Sequence, residues 1–449
     1  MDGSRGSGVD LRALDRRARR ALDGAGSDAD AAAALGDFVS GFHDAHLRLV
    51  PKVEPAGSPA PALPPVAYDD LDAPTGVAAL GYAIATPVAF SLPFEALRGS
   101  TLLNDGVSLP FRAAVVTTTK GMKLGLVRIP RFREQDSPPA LAVKEWTARK
   151  KPGQPLDVPA LKAAITDAWY QAMADHLKRF EREQVAAVIV DVGGNGGGND
   201  AGDWMVRLFT AREVRSARLL MAASPGGARY FDDQLRGLRA ALKDHPALPA
   251  EARAELEAAI AAVERRKASV ESRKSDMSWV WREQRPFRPE GASRLVEAGF
   301  FSGQLESHAP IAPADRGWFS ELFWPSRVDG FRGAWSGRVY VLTDGGTGSS
   351  AEMFTASMRD NRVGRIVGTP TLGAGAGFMG DAPPVELPHS RLRVIVPNCV
   401  RLRADGTDEV AGIQPDLPVL PTEGESGRGR AARVLETIEA DLLAPGQAR

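Results

Sequence analysis

The chain has 449 residues and balances 56 Lys+Arg against 56 Asp+Glu, so no global field draws it to nucleic acid or to anionic lipid. A hydrophobic content of 43% with 46 Gly and 33 Pro fits a globular, loop-rich α/β protein with room for a sizeable core. The single Cys399 excludes an internal disulfide framework and argues against a zinc or iron–sulfur site. No stretch reaches the roughly 18 apolar residues that a membrane span requires.

The N-terminus is polar and lacks the apolar core of a secretory signal, so the protein stays in the cytoplasm or a leader has been lost. Residues 9–48 read as helical. Leu11, Leu14, Ala18 and Leu22 share one face, and after a Gly/Ser/Asp break Leu35, Phe38, Val39 and Phe42 continue the spacing. The segment ends in His43-Asp44-Ala45-His46, and Leu47–Val50 alternates like a strand. Residues 51–66, rich in Pro and Ala, read as a linker. Short apolar runs within 67–120 read as a small β-rich segment.

A core begins at Lys123–Ile129, a strand. A polar stretch over 134–159 leads to an amphipathic helix carrying Leu161, Ile165, Trp169 and Leu177. Val185–Val192 is a β-branched run and reads as a strand buried on both faces, as in parallel sheets. It runs into Gly193-Gly194-Asn195-Gly196-Gly197-Gly198 and a helix through Trp204 and Phe209. Residues 228–275 read as a charged helical hairpin broken at His245-Pro246, with an aromatic-rich irregular stretch to Ser336. That stretch holds Trp279, Trp281, Trp318 and Trp324, which either line a cleft or pack beneath long loops. The insertion 228–336 is a lid or a subunit contact. Arg338–Thr343 is another strand, followed by a helix through Met353, Phe354 and Met358. Strands at Arg365–Gly368 and Leu392–Val396 flank a Gly-rich turn, and a tail helix presents Val434, Leu435, Ile438 and Leu442. The resulting partition is 1–50, 51–120, 121–423 and a C-terminal helix over 424–449.

Four features carry chemistry. Ser349, in Gly345-Gly-Thr-Gly-Ser349-Ser-Ala-Glu352, lies at a strand-to-helix turn, where backbone N–H groups without helical partners serve acyl transfer. Ser349-x-x-Glu352 is equally a capping box that merely starts a helix. The glycine turn after Val192 stands where open α/β sheets place ligands, and its N–H groups suit an anion. Gly196-x-Gly198-x-x-Ala201 meets a loose dinucleotide fingerprint, but Asp191 at the strand end opposes a pyrophosphate. His46 lies where a helix gives way to a strand, with His43 its nearest alternative. Glu409 falls in Glu409-Val-Ala-Gly-Ile-Gln-Pro-Asp416, where a solvated loop carboxylate is the plainer reading.

Taken together, the motifs resemble the tail-specific, or C-terminal processing, serine peptidases, a family that includes the catalytic core of tricorn protease. Asp191–Gly198 corresponds to its Asp-x-Arg-x-Asn-x-Gly-Gly, and Thr347–Glu352 to its Thr-x-Ser-x-x-Glu. Gly368–Gly373 matches Gly-x-x-Thr-x-Gly, and Glu409–Asp416 matches the late Glu-x-x-Gly-[Val/Ile]-x-Pro-Asp. Two departures stand out. Ala374 occupies the position of the lysine in the family's Ser-Lys dyad, and residues 51–120 show no Gly-Leu-Gly-Phe-type loop of a PDZ domain. Asp44-Ala45-His46 and Glu409 fit the tricorn-like branch, which uses a histidine and a late glutamate.

This resemblance implies a crotonase-like (ClpP/crotonase-type) layered β/α core. It implies a serine peptidase with Ser349 as nucleophile, His46 as base and Glu409 in support. Its oxyanion hole would draw on Gly194, Gly196, Gly197 and Ser350. No metal or cofactor is implied, and the partner is a peptide or protein substrate. By the same resemblance an extracytoplasmic location follows if a leader was removed. The alternatives are an inactive binding protein on the same fold, taking a small hydrophobic ligand or a peptide, and a nucleotide-dependent enzyme.

Overall fold

In a computed structural model, the residues described are 9–50, 74–82, 88–137, 139–149, 156–273, 282–283, 295–299, 318–319, 322–323, 325–374, 376–379 and 384–444. The chain forms two compact units, each built from separate segments. One, the sheet unit, comprises Ala60–Arg215, Arg327–Leu372 and Ile413–Arg449. The other, the hairpin unit, comprises Met1–Pro59, Ser216–Ser326 and Gly373–Gly412.

The sheet unit is built on a seven-stranded mixed sheet whose strands lie side by side in chain order. Ser100–Asn104, Arg112–Thr117 and Lys123–Arg128 form an antiparallel meander. Ala187–Asp191, Arg338–Thr343, Arg365–Gly368 and Leu417–Pro418 then extend it in parallel. The sheet thus starts ahead of Lys123, within the region expected to be a separate β-rich segment.

Alternation along the strands sorts side chains between two faces. Leu124, Leu126, Ala187, Ile189, Tyr340 and Leu342 pack with Val434, Leu435 and Ile438 of the tail helix Gly427–Leu443. That helix is also tied down by polar bonds: Asp441 accepts from Tyr340 Oη at 2.7 Å and from Arg365, and Glu439 accepts from Thr118. On the other face Phe180, from the Val158–Arg182 helix, lies against Gly125. Every residue of Ala187–Asp191 is buried, as its apolar run Ala187–Val190 requires. Mixed α/β layering is therefore the architecture.

In the hairpin unit, Pro225–Asp244 and Ala250–Arg273 pack as an antiparallel helix pair on a four-stranded sheet. Pro246 cannot continue the first helix, and the break falls there. Phe231, Leu235 and Leu238 of the first helix and Leu256, Val263 and Val270 of the second are at most 4% exposed. Burying each such side chain contributes about 1.5–3 kcal/mol relative to exposure.

The N-terminal segment of this unit forms two helices, Leu11–Asp23 and Asp28–Ser40. Helical spacing continues to Phe42 in the sequence, but the helix ends at Ser40. His43 takes a positive φ of 54°, and the chain turns through His46 into the strand Arg48–Val50. Of Trp279, Trp281, Trp318 and Trp324, only Trp318 is among the described residues, and its ring stacks on His245 at 4.0 Å.

Candidate active site

Ser349 stands between the strand Arg338–Thr343 and the helix Ser350–Asp360, as the turn chemistry predicts. Its backbone sets it apart from an ordinary cap. Ser27, Ser224 and Ser426 cap their helices from extended conformations, and each accepts a backbone N–H three residues on. Ser349 instead has φ 52° and ψ −120°. This is a sparsely populated region for a residue with a Cβ, and it persists only where the surroundings enforce it.

Those surroundings are the glycine turn. Thr347 Oγ1 donates to Val192 O at 3.0 Å, and Gly348 N–H donates to Asn195 O at 2.9 Å. Asn195 is fully buried; its amide donates to Ile129 O at 2.9 Å, and its Oδ1 accepts from Gly197 N–H at 2.9 Å. Gly197 (φ 104°) faces Ser349 so closely that a Cβ there would stand 2.6 Å from Ser349 Cβ. Asp191, at the end of the preceding strand, is completely buried. It accepts from Ser91 N–H at 2.7 Å, Ser91 Oγ at 2.6 Å and Arg128 Nη1 at 3.1 Å.

The turn's donors are not equivalent. Gly194 N–H donates to Asp344 Oδ1 at 2.7 Å, and Gly197 N–H is held by Asn195. Among the described residues, the N–H groups of Gly196 and Ser350 have no acceptor. Gly196 is exposed, and Ser350 N lies 2.9 Å from the point a Gly197 Cβ would occupy. Ser350 itself is buried, and its Oγ accepts from Gly202 N–H at 3.2 Å.

Glu352 lies behind Ser349 and has no exposed surface. One oxygen accepts Ser349 N–H at 3.1 Å; the other accepts Thr371 Oγ1–H at 2.6 Å. Thr371 Oγ1 in turn accepts Ile413 N–H at 2.7 Å, and Leu372 N–H donates to Thr347 O at 2.8 Å. The Gly368–Gly373 motif therefore buttresses the serine turn through a buried carboxylate.

His46 and Glu409 belong to the hairpin unit. His46 is half-buried in the turn before Arg48–Val50, its N–H donating to Asp44 Oδ1 at 2.9 Å and its ring edge-on to Phe378 at 5.4 Å. Burial pushes the Asp44 carboxyl above its ordinary range; the N–H groups of His46 and Leu47 oppose that rise, Asp408 adds to it and Arg401 opposes it. Glu409 is 1% exposed, not a solvated loop carboxylate. Its Oε2 accepts both Arg401 Nε at 3.0 Å and Arg401 Nη2 at 2.5 Å. Arg401 also donates to the carbonyl of Ala374, the buried residue in the lysine position.

Within the sheet unit, then, Ser349, Ser350 and the glycine turn form one contiguous cluster. Within the hairpin unit, the Asp44–His46 turn and the Arg401–Glu409 pair share one electrostatic environment. His43, the alternative to His46, is exposed. Asn195, Thr347 and Thr371 belong to the sequence motifs, but their positioning roles are visible only in the hydrogen bonds. Glu352 carried a signal as the third residue of a capping box. Arg401 carried none.

No helix among the described residues is long and apolar enough to cross a membrane. Comparison with curated protein sequences gives no match. Two solved structures share the fold. Mature CPAF is 14% identical with a TM-score of 0.51, covering 99% of this chain and 94% of CPAF. Mature CPAF complexed with lactacystin is 15% identical with a TM-score of 0.51, covering 97% of this chain and 93% of the other. The family model for peptidase family S41 matches residues 123–419, well over half of the sequence. On that match the chain belongs to peptidase family S41 and is a hydrolase of the serine peptidase class.

Proposed function

We propose that this protein cleaves peptide bonds through an acyl-enzyme on Ser349, with His46 as general base and Glu409 in support. The observation that carries the reading is the Ser349 backbone, held at φ 52° against Gly197 at the head of a helix. A serine that only capped its helix has no need of that conformation, whereas a nucleophile at a strand-to-helix turn does.

In the first step His46 takes the Ser349 Oγ proton as Oγ attacks the scissile carbonyl carbon. The oxyanion is received by the N–H groups of Gly196 and Ser350, two donors of the cluster without an acceptor among the described residues. Collapse expels the amine, which takes the proton back from His46. Water then attacks the ester with His46 again as base, releasing the acid and restoring Ser349. Glu409, paired with Arg401, supports the imidazolium that forms in each step. The substitution of Ala374 for the dyad lysine supports a histidine base, because no ammonium group stands at that position.

The test is hydrolysis of a denatured protein substrate by the wild-type chain and by Ser349→Ala at matched folded content. Activity in the wild type and its loss in the variant support the proposal. Equal activity in both refutes the nucleophile. Inactivity of both, with no fluorophosphonate adduct on Ser349, makes the protein a binding module on this fold instead.

A further inference from the structure

The hairpin unit holds a second site that the peptidase chemistry does not use. A cavity of about 650 Å³ lies between the Ala250–Arg273 helix and the strands Arg218–Ala222 and Leu295–Gly299. Its helical wall is a single stripe, Ala262, Arg265, Arg266, Ser269 and Arg273, at the three- and four-residue spacing that places side chains on one face. Arg218 adds a fourth guanidinium opposite. The one carboxylate of the lining, Glu297, pairs with Arg218 at 3.3 Å.

Other charges on the same helix are matched across the hairpin: Glu264 pairs with Arg239 and Lys267 with Asp232, each at 2.6 Å. Arg265 and Arg266, on the cavity side, have no ion pair among the described residues. Nη1 of Arg266 is shielded from solvent and has no hydrogen-bond acceptor. Burial pulls the Arg266 guanidinium down from its ordinary pKa, partly offset by Glu297 and by Tyr230, with Arg265 adding to the depression. A cation desolvated without a matching anion is unfavourable, and a ligand carboxylate relieves it. The floor of the cavity, on the strands, is apolar, formed by Leu220 and Val296. A lone inorganic ion would leave that floor uncovered.

We infer that this cavity binds an acidic peptide segment, its carboxylates on Arg265 and Arg266 and its apolar side chains on Leu220 and Val296. Guanidinium groups suit this task because their planar forks meet carboxylates in a bidentate geometry. The inference stands apart from the catalytic proposal, since it concerns binding alone and is read without turnover.

The experiment is fluorescence anisotropy with a short fluorescein-labelled peptide alternating Glu and Leu, in the Ser349→Ala background so that the probe stays intact. Saturable binding is expected, absent for the same peptide with Gln in place of Glu. R265E/R266E weakens it by roughly tenfold or more, and the milder R265Q/R266Q weakens it in the same direction if the charge reversal impairs folding. R229E/R236E, on the other helix of the hairpin, makes the same change in net charge and leaves the affinity unaltered. Equal affinities in the two charge-reversed variants, or no saturable binding, overturn the inference. So does binding of inorganic pyrophosphate without binding of the peptide.

Discussion

Gly197 and Ser349 are in direct contact: a methyl group on the glycine Cα would lie 2.6 Å from the serine Cβ and 2.9 Å from Ser350 N. Gly197→Ala therefore displaces Ser349 and forces φ 104° on a residue with a side chain. Hydrolysis should fall by about 10²-fold or more, the scale of losing an oxyanion donor. Gly345→Ala is the control, because a Cβ there meets nothing within 4 Å. It should leave kcat/KM within a few-fold of wild type, and equal losses in the two variants would contradict the geometry.

Glu352 offers two acceptor oxygens to two donors, Ser349 N–H and Thr371 Oγ1–H. Gln at this position replaces one of those oxygens with a donor. Glu352→Gln should lower stability by about 1–3 kcal/mol, the cost of a buried donor left unsatisfied. Because the carboxylate holds the serine turn and is fully buried, kcat should drop more than KM rises. Urea unfolding and steady-state kinetics measure the two effects, and a variant unchanged in both removes Glu352 from the positioning role.

The Arg401–Glu409 pair is buried on both sides, at 5% and 1% exposure. Arg401→Met withdraws the cation and should destabilise the protein by about 3–5 kcal/mol. The double variant R401M/E409L should recover much of that loss, since replacing both partners of a buried pair with apolar groups is often near neutral. Activity should return in neither. A single variant as stable as wild type would show that the pair carries little of this load.

His176 provides a pH handle on the sheet unit. Its ring is buried beside Pro110 O at 3.2 Å, and burial pushes its pKa below the ordinary range, with Arg179 acting the same way. The unfolded chain therefore binds a proton that the folded chain refuses. This contribution is complete above the unfolded value of about 6.5 and is lost as pH falls toward the depressed folded value. His176→Gln should flatten the decline of Tm between neutral and mildly acidic pH. Equal slopes for variant and wild type would exclude His176 as the cause.

Much of this arrangement was legible from local chemistry. The β-branched run ending at Asp191 and the Arg338–Thr343 run became adjacent central strands, because residues apolar on both faces are stable only inside a covered sheet. The broken charged stretch became the helix hairpin, and the Gly-Thr-Gly-Ser turn lies at a helix head. What stayed hidden depends on pairings distant in the chain. Ser91 binds Asp191 across 100 residues, and nothing around either announces the other. Glu409 looked like a solvated carboxylate because its partner, Arg401, stands on a separate strand, Cys399–Leu402. The end of the second N-terminal helix at Ser40, ahead of an apolar spacing that runs to Phe42, reflects the positive φ at His43. Hydropathy spacing does not encode that reversal.

The central claim is that His46 activates Ser349. It is tested most directly by the rate of fluorophosphonate labelling, with the modified residue located by peptide mass mapping, in the wild-type chain and in His46→Ala. Rapid modification confined to Ser349 in the wild type, and slowed by orders of magnitude in the variant, is the predicted result. An adduct on Ser349 that forms equally fast without His46, or no adduct on Ser349 at all, would contradict it.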